Sequence, residues 1–192
     1  MKIGVLALQG AFAEHISVLR RLEVETVPVR LPRQLVGLDG LIIPGGESTT
    51  IANLMLSYNI RSEISQMADN DLPILGTCAG MVLLARKVSD DGIEPVAAMG
   101  ITVRRNAFGR QRESFETDLK IPVLGEKPFP GVFIRAPLIE QVTNEVEVLA
   151  RLDNNTIVAA RQGKLLACAF HPELTNDLRF HQYFLSITGD EQ

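Results

Sequence analysis

Cys78 is the residue whose neighbours best suit a nucleophile. It lies in Leu-Gly-Thr-Cys-Ala-Gly-Met, between a segment typical of a strand and a segment typical of a helix. Small flanking residues permit the tight strand-to-helix turn that pushes a nucleophile outward, and the start of a helix favours a thiolate. A free cysteine is also commonly a small buried side chain. Gly-x-Cys-x-Gly alone therefore leaves both interpretations open.

His171 and Glu173 form a second candidate pair, in His-Pro-Glu directly after the apolar segment at residues 165–170. In extended chain, side chains two residues apart point the same way, so both are predicted to project from the end of a strand, with Pro172 stiffening the link. A carboxylate beside an imidazole fixes its tautomer and stabilises the imidazolium. A surface histidine beside an unrelated acid is the alternative.

Residues 44–50, Pro-Gly-Gly-Glu-Ser-Thr-Thr, form a glycine loop after another apolar segment. Its glycines leave backbone N–H groups accessible to a developing oxyanion, and Ser48 or Thr49 is predicted to cap the helix that follows. A phosphate-binding loop is the competing interpretation. It is disfavoured because the Gly-Lys-Ser/Thr ending is absent and Glu47 would repel phosphate.

A doubly wound α/β fold would bring these features together. Alternating strands and helices favour a mostly parallel sheet with helices on both faces, whose sites lie at the carboxyl ends of the strands. Each candidate feature follows a predicted strand, which argues against coincidence. The predicted strands of the first half are residues 3–8, 24–29, 38–43 and 73–76, and the predicted helices are 12–19, 48–58 and 79–87.

The second half of the chain is rich in strand-like segments, which predict antiparallel additions to the sheet. The chain has 192 residues without a linker-like tract, so we expect a single domain over residues 1–192. The predicted elements of this half are strands at 101–104, 115–121, 131–135, 145–152, 156–160 and 165–170 and a helix at 176–187.

The charge balance argues against a nucleic-acid binder. The chain carries 19 basic and 23 acidic residues, a net charge of −4, whereas such binders usually have a concentrated basic face. Arg104, Arg105, Arg110 and Arg112 form the one basic cluster, which we interpret as a solvated edge or a partner contact. No apolar segment approaches the roughly 18 residues that a membrane span needs.

Cysteine usage indicates a reducing compartment. The chain has two cysteines, too few for a disulfide framework, so a cytoplasmic location is predicted. Cys168 lies within an apolar segment and is predicted to be core. His15 and His181 lie in helix-like segments, where a surface position suits either, and neither is needed for the chemistry above.

The motifs resemble the class I (triad) glutamine amidotransferases, which implies a flavodoxin-like fold. More narrowly, the chain resembles the family of glutaminase subunits of pyridoxal 5′-phosphate synthase. The first resemblance rests on Gly-Thr-Cys-Ala-Gly, His-Pro-Glu and the glycine loop. The second rests on longer strings that cover nearly the whole chain, at residues 8–15, 44–50, 105–111, 114–116, 133–137 and 170–174.

The resemblance implies the hydrolysis of L-glutamine to glutamate and ammonia by Cys78, His171 and Glu173. It further implies that the N–H groups of Gly46 and Ala79 form the oxyanion hole. Guanidinium groups suit the glutamine carboxylate, but the choice between the arginines stays open. A structural ion pair or a partner contact is the alternative for either. The glutamine-binding residues implied are Gly46, Glu47, Ser48, Arg105, Ile134 and Arg135.

The same resemblance implies a hetero-oligomer with a synthase subunit that receives the ammonia and builds pyridoxal 5′-phosphate, with no metal or bound cofactor in this chain. Gln9 and Gly10 are then candidates for the subunit contact and for activation, although Gln9 is equally suited to capping a strand end. A triad amidase for another synthase and a non-catalytic interaction subunit are the rival hypotheses.

Overall fold

The structure, a computed structural model, describes residues 1–90, 92–107 and 114–189. A mixed sheet has the strand order β2-β1-β3-β4-β12-β11-β9-β6-β5, with β10 paired to β11, and β7 and β8 form a separate two-stranded sheet. The strands are β1 Lys2–Leu6, β2 Glu25–Val29, β3 Gly40–Ile43, β4 Ile74–Thr77, β5 Ala85–Val88, β6 Met99–Arg104, β7 Ser114–Leu119, β8 Phe129–Ile134, β9 Leu138–Val142, β10 Glu147–Arg151, β11 Ile157–Gln162 and β12 Leu165–Cys168. The helices are α1 Phe12–Arg21, α2 Ser48–Ser57, α3 Arg61–Asp69, α4 Ala79–Leu84 and α5 Arg179–Gly189.

The parallel half of the sheet positions the candidate features. Strands β2, β1, β3, β4 and β12 run parallel, and β3, β4 and β12 are neighbours. The chain passes from β1 to β2 towards one edge of the sheet, and from β3 to β4 towards the opposite edge. Because both crossovers are expected to be right-handed, α1 and α2 lie on opposite faces of the sheet. The predicted doubly wound α/β fold is confirmed.

The antiparallel half differs from the prediction in one respect. Strands β9 and β11 pair antiparallel with their neighbours in the main sheet, as expected. The segments predicted at 115–121 and 131–135 instead pair with each other as β7 and β8. Alternation of apolar and polar residues identifies a strand but not its partner, so this assignment to the main sheet was wrong.

The helix predicted at 79–87 is too long. α4 ends at Leu84, and Ala85–Val88 form β5, which pairs parallel with β6. The apolar residues at 81–85 suit a helix or a buried strand, and tertiary pairing decides between them. The prediction also omitted α3 and β9, whose short segments carry weak periodicity.

An aromatic cluster lies beneath the end of β12. Phe170 is fully buried, and its ring centroid lies 5.8 Å from that of Phe133, 5.7 Å from that of Phe129 and 5.2 Å from that of Phe180. Pairs of this geometry contribute about 0.5–1.5 kcal/mol each beyond their burial. The cluster thus fixes the residue immediately before His171. None of the described helices has the length and apolar character needed to cross a bilayer.

Candidate active site

Cys78 occupies a strained turn between β4 and α4. Its backbone has φ 49° and ψ −104°, a conformation that residues with a side chain rarely adopt. Its N–H donates to the carbonyl of Cys168 on the neighbouring strand at 2.8 Å, which holds the turn against β12. The residue as a whole is 7% exposed. The strand-to-helix turn predicted for a nucleophile is therefore present.

His171 and Glu173 come together through a turn rather than through extended chain. Pro172–Leu174 form a 3-10 helix that begins directly after His171, so the predicted strand-end geometry was wrong, because proline at the first helical position favours a helical turn. His171 Nδ1 lies 2.7 Å from Glu173 Oε1. The backbone N–H of His171 donates to the carbonyl of Val132 in β8 at 2.8 Å.

His171 and Glu173 each stabilise the charged form of the other. Burial lowers the pKa of His171, but hydrogen bonds to Cys78 and Glu173 outweigh burial and raise the pKa to about 10. Burial raises the pKa of Glu173, but the nearby His15 ring and the hydrogen bond from His171 lower it below its ordinary value. At neutral pH the favoured state is an imidazolium beside a carboxylate.

The glycine loop packs directly on the nucleophile and the imidazole. A Cβ placed on Gly45 would lie 2.4 Å from His171 Cε1 and 3.2 Å from Cys78 Cβ, so the loop requires glycine there. The helix cap differs from the prediction. Glu47, not Ser48 or Thr49, caps α2, with its carboxylate accepting from the N–H of Thr49 and of Thr50. Hydrogen bonds from Thr50 hold the pKa of Glu47 below its usual value.

Gln9 and Gly10 contact this loop from the other side. Gln9 Oε1 accepts from the N–H of Glu47 at 2.8 Å, so its side chain holds the loop rather than its own strand end. Gly10 has φ 96°, and a Cβ there would lie 2.0 Å from the carbonyl oxygen of Gly45. A displacement of residues 9 and 10 would therefore move the glycine loop.

A pocket of about 390 Å³ opens above Cys78, within the range of small-molecule sites. Glu173 lies behind His171 with its side chain fully buried. Every residue predicted to bind glutamine or to form the oxyanion hole lines this pocket. The lining comprises Gly46, Glu47, Ser48, Cys78, Ala79, Val82, Arg105, Asn106, Ile134, Arg135, Pro137 and His171.

The two pocket arginines are positioned differently. Arg105 Nη1 donates to Thr49 Oγ1 at 3.1 Å, and Arg105 Nε lies 3.5 Å from Asp90 Oδ2. Arg105 therefore forms an ion pair and also lines the pocket. Arg135 follows β8 in a left-handed conformation with φ 44°. Of the basic cluster, Arg104 pairs with Glu140.

Part of the basic cluster and of one motif cannot be placed. Arg110 and Arg112, and residues 108–111 of the string at 105–111, lie outside the described residues. Within the described ranges, no group of three or more His, Cys, Asp or Glu residues is arranged to hold a metal ion.

Comparison with known proteins identifies the family. The sequence profile described as the SNO glutamine amidotransferase family matches residues 5–189. The chain belongs to this family. A Herpetosiphon aurantiacus protein named pyridoxal 5′-phosphate synthase subunit PdxT is 59% identical over 190 residues, covering 97% of this chain and 100% of that protein. A Pelotomaculum thermopropionicum protein of the same name is 58% identical over 185 residues, covering 96% and 94%.

A solved structure supports the fold of this SNO-family chain. A crystal structure of a glutamine amidotransferase matches it with a TM-score of 0.92 at 47% sequence identity, covering 98% of this chain and 99% of that one. The sheet order and the turn at Cys78 thus belong to a glutamine amidotransferase fold.

Sequence reasoning missed several residues around the site of this SNO-family member. Val82 lies one turn after Cys78 on α4, a spacing that could have indicated it. Asn106 and Pro137 fall inside the strings quoted above. His15 and His181, compatible with the surface on sequence grounds, are both fully buried. Their ring nitrogens pair with each other, which offsets part of the cost of burying them.

Gly10→Ala is expected to destabilise the chain by clearly more than the roughly 1–2 kcal/mol that a left-handed conformation costs alone. A Cβ there overlaps the backbone of Gly45, which cannot move without shifting the loop. Gly125→Ala is the matched control, since Gly125 has φ 92° and nothing within 4 Å of a Cβ. Urea unfolding measures both variants. Equal losses of stability would show that the close contact is unimportant.

Proposed function

We propose that this chain is the glutaminase subunit of a pyridoxal 5′-phosphate synthase. The observation that carries the proposal is the convergence of Cys78, His171 and the glycine loop on one pocket, with Glu173 hydrogen-bonded to His171 behind it. The near full-length similarity to proteins named as subunits of that synthase supports the choice of pathway.

The proposed reaction begins when the sulfur of Cys78 attacks the carboxamide carbon of glutamine. His171 already holds the thiol proton as the imidazolium favoured at neutral pH, and gives it to the departing amine, which leaves as ammonia while a γ-glutamyl thioester forms. Water then cleaves the thioester, and glutamate departs as the thiol is restored. A pKa of about 10 at His171 lets the imidazole hold the proton until ammonia leaves.

The pocket lining suits this substrate. In the proposal, the N–H groups of Gly46 and Ala79 hold the oxyanion of the tetrahedral intermediate. Arg105 and Arg135 supply positive charge for the α-carboxylate, while Ile134 contacts the aliphatic part of glutamine. Glu47 and Ser48 contribute mainly through the loop backbone, because the Glu47 carboxylate is occupied in capping α2.

A synthase subunit is the proposed partner, and ammonia is what it receives. Gln9 and Gly10 are proposed to transmit its binding to the oxyanion hole, because Gln9 is hydrogen-bonded to the loop and Gly10 packs on Gly45. The proposed compartment is the cytoplasm, which suits two cysteines that are both free.

The test is pyridoxal 5′-phosphate formation by the purified chain with the synthase subunit encoded in the same genome. We expect glutamine to support formation only when both chains are present, and glutamate release to rise at least about tenfold on adding the synthase, as expected when a partner orders the oxyanion hole. Cys78→Ala is expected to abolish formation from glutamine but not from ammonium chloride.

The ammonium arm makes the result decisive. A synthase that uses ammonium but gains nothing from this chain and glutamine would refute the assignment to this pathway. Stimulation of glutamate release by a synthase of histidine or nucleotide biosynthesis instead would favour the rival amidase hypothesis. No glutamate release with any partner would favour a non-catalytic subunit.

A further inference from the structure

A chain of buried polar side chains extends behind the triad, away from the pocket. His15 of α1, Thr77 of β4 and His181 of α5 are each fully buried. His15 Nε2 lies 3.1 Å from Thr77 Oγ1, and His15 Nδ1 lies 2.9 Å from His181 Nε2. Thr77 Oγ1 also accepts from the N–H of Gly45 at 3.1 Å. Buried polar groups of this number need a reason beyond packing.

The second oxygen of Glu173 faces this chain. Oε1 is paired with His171, whereas Oε2 is buried and has no conventional hydrogen bond within the described part of the chain. His15 Nε2 lies 3.4 Å from Oε2. A buried carboxylate oxygen is costly unless a donor points at it. His15 is placed to be that donor.

The tautomer of His15 follows from its neighbours. If Nε2 carried no hydrogen, two lone pairs would face each other between His15 and Glu173 across 3.4 Å of buried space. With the hydrogen on Nε2, the N–H points towards Glu173 and Thr77, and Nδ1 accepts from the Nε2–H of His181. In this arrangement the Nδ1 lone pair of His181 has no partner among the described residues.

Both histidines are uncharged at neutral pH. Burial lowers the pKa of His15, which the attraction of Glu173 only partly offsets, while the charge of His171 lowers it and that of Glu14 raises it. Burial, with the nearby His15, lowers the pKa of His181 to about 3. Cys168, which also faces Glu173, stays a thiol, because burial raises its pKa well above the ordinary value.

A neutral donor at this position has a specific advantage. A cation at His15 would compete with the His171 imidazolium for the negative charge of Glu173. A neutral N–H orients the carboxylate and leaves its charge for His171.

We propose that His15 is a positioning residue of the triad, whose uncharged Nε2–H holds the second oxygen of Glu173, and that His181 fixes the tautomer of His15. The inference rests on the proposed function. It adds two residues on two helices to the support of the site. Neither lines the pocket, so neither touches substrate.

A matched pair of substitutions tests the donor. His15→Gln places an amide N–H near the former Nε2, whereas His15→Asn reaches only as far as the former Nδ1. We expect His15→Asn to lower kcat for glutamate release by about 10- to 100-fold, as for other groups that orient a catalytic ligand, with KM within about twofold. His15→Gln is expected to restore most of kcat at similar stability in urea.

A spectroscopic signal reports the same effect without turnover. The Nδ1–H of His171, held by Glu173 at 2.7 Å, is expected to give a sharp downfield proton resonance in the wild type and in His15→Gln. It is expected to broaden in His15→Asn. His181→Leu, which removes the donor to His15, is expected to change kcat and the resonance in the same direction and serves if His15→Asn fails to fold.

The outcomes separate this inference from the proposed function. A folded His15→Asn variant with wild-type kcat and a sharp resonance would overturn the positioning role, as would His15→Gln behaving like His15→Asn. A wild-type chain that releases no glutamate with its synthase would instead refute the proposed function. In that case the resonance alone would still decide whether His15 orders Glu173.

Discussion

Cys78→Ala is expected to abolish glutamate release, with a loss of at least about 10⁴-fold in kcat, because no other group can form the thioester and losses of this order follow removal of a nucleophile. The fold should survive, since alanine removes one sulfur atom from a side chain at the pocket wall. A glutamine analogue that alkylates thiols, followed by mass spectrometry, is expected to label the wild type at Cys78 and leave Cys78→Ala unlabelled.

Cys168→Ala provides the matched control for the nucleophile. Cys168 is fully buried and its pKa is raised by burial, so it offers little thiolate to an alkylating reagent. We expect its substitution to leave kcat within about twofold and labelling at Cys78 intact. Glutamate release that persists in Cys78→Ala and disappears in Cys168→Ala would reverse the assignment.

Glu173→Gln is expected to lower kcat by about 10³- to 10⁴-fold, the range seen when the acid of a catalytic triad becomes an amide. The substitution keeps the size of a side chain that is fully buried but removes its charge. Without the carboxylate, the pKa of His171 is expected to fall from about 10. Proton NMR of the His171 ring, followed against pH, measures the change.

The same substitution has a predictable effect on stability against pH. The pKa of His171 is raised in the folded state from its ordinary 6.5 to about 10. Its charge therefore stabilises the wild type fully below pH 6.5, and this contribution is lost as the pH rises towards 10. We expect Tm to fall less steeply across this window in Glu173→Gln than in the wild type.

Glu14→Gln is the control for the loss of a carboxylate. Glu14 is exposed on α1 and lies close enough to influence His15, but it does not line the pocket. We expect kcat within about twofold of wild type and an unchanged Tm profile. Similar profiles for Glu173→Gln and Glu14→Gln would show that the carboxylate of Glu173 does not set the pKa of His171.

The fold was predictable where periodicity and loop chemistry agree. Strand β3, followed by a glycine loop and α2, and strand β4, followed by Cys78 and α4, each combine an apolar segment with a turn that only small residues permit. Strands β7 and β8 were recognised as strands but assigned to the wrong sheet. Their partner is set by contacts distant in the chain, which local pattern does not encode.

The candidate site was predictable where residues are close in sequence. His171 and Glu173 are two residues apart, so their contact could be inferred, although the turn that produces it could not. The pairing of His15 with His181 joins positions 166 residues apart. Each lies on a helix whose apolar pattern permits either a surface or a buried histidine, so only the packing of α1 beside α5 reveals their burial.

At Cys78 the backbone conformation lowers the stability of the fold, while the side chain is required for the proposed reaction. A side chain at φ 49° and ψ −104° costs about 1–3 kcal/mol, and glycine at that position would remove the cost together with the sulfur. A lineage released from the need for this reaction would gain stability by discarding the cysteine. Retention of cysteine on this unfavourable backbone is therefore the expected result of selection for the reaction rather than for stability of the fold.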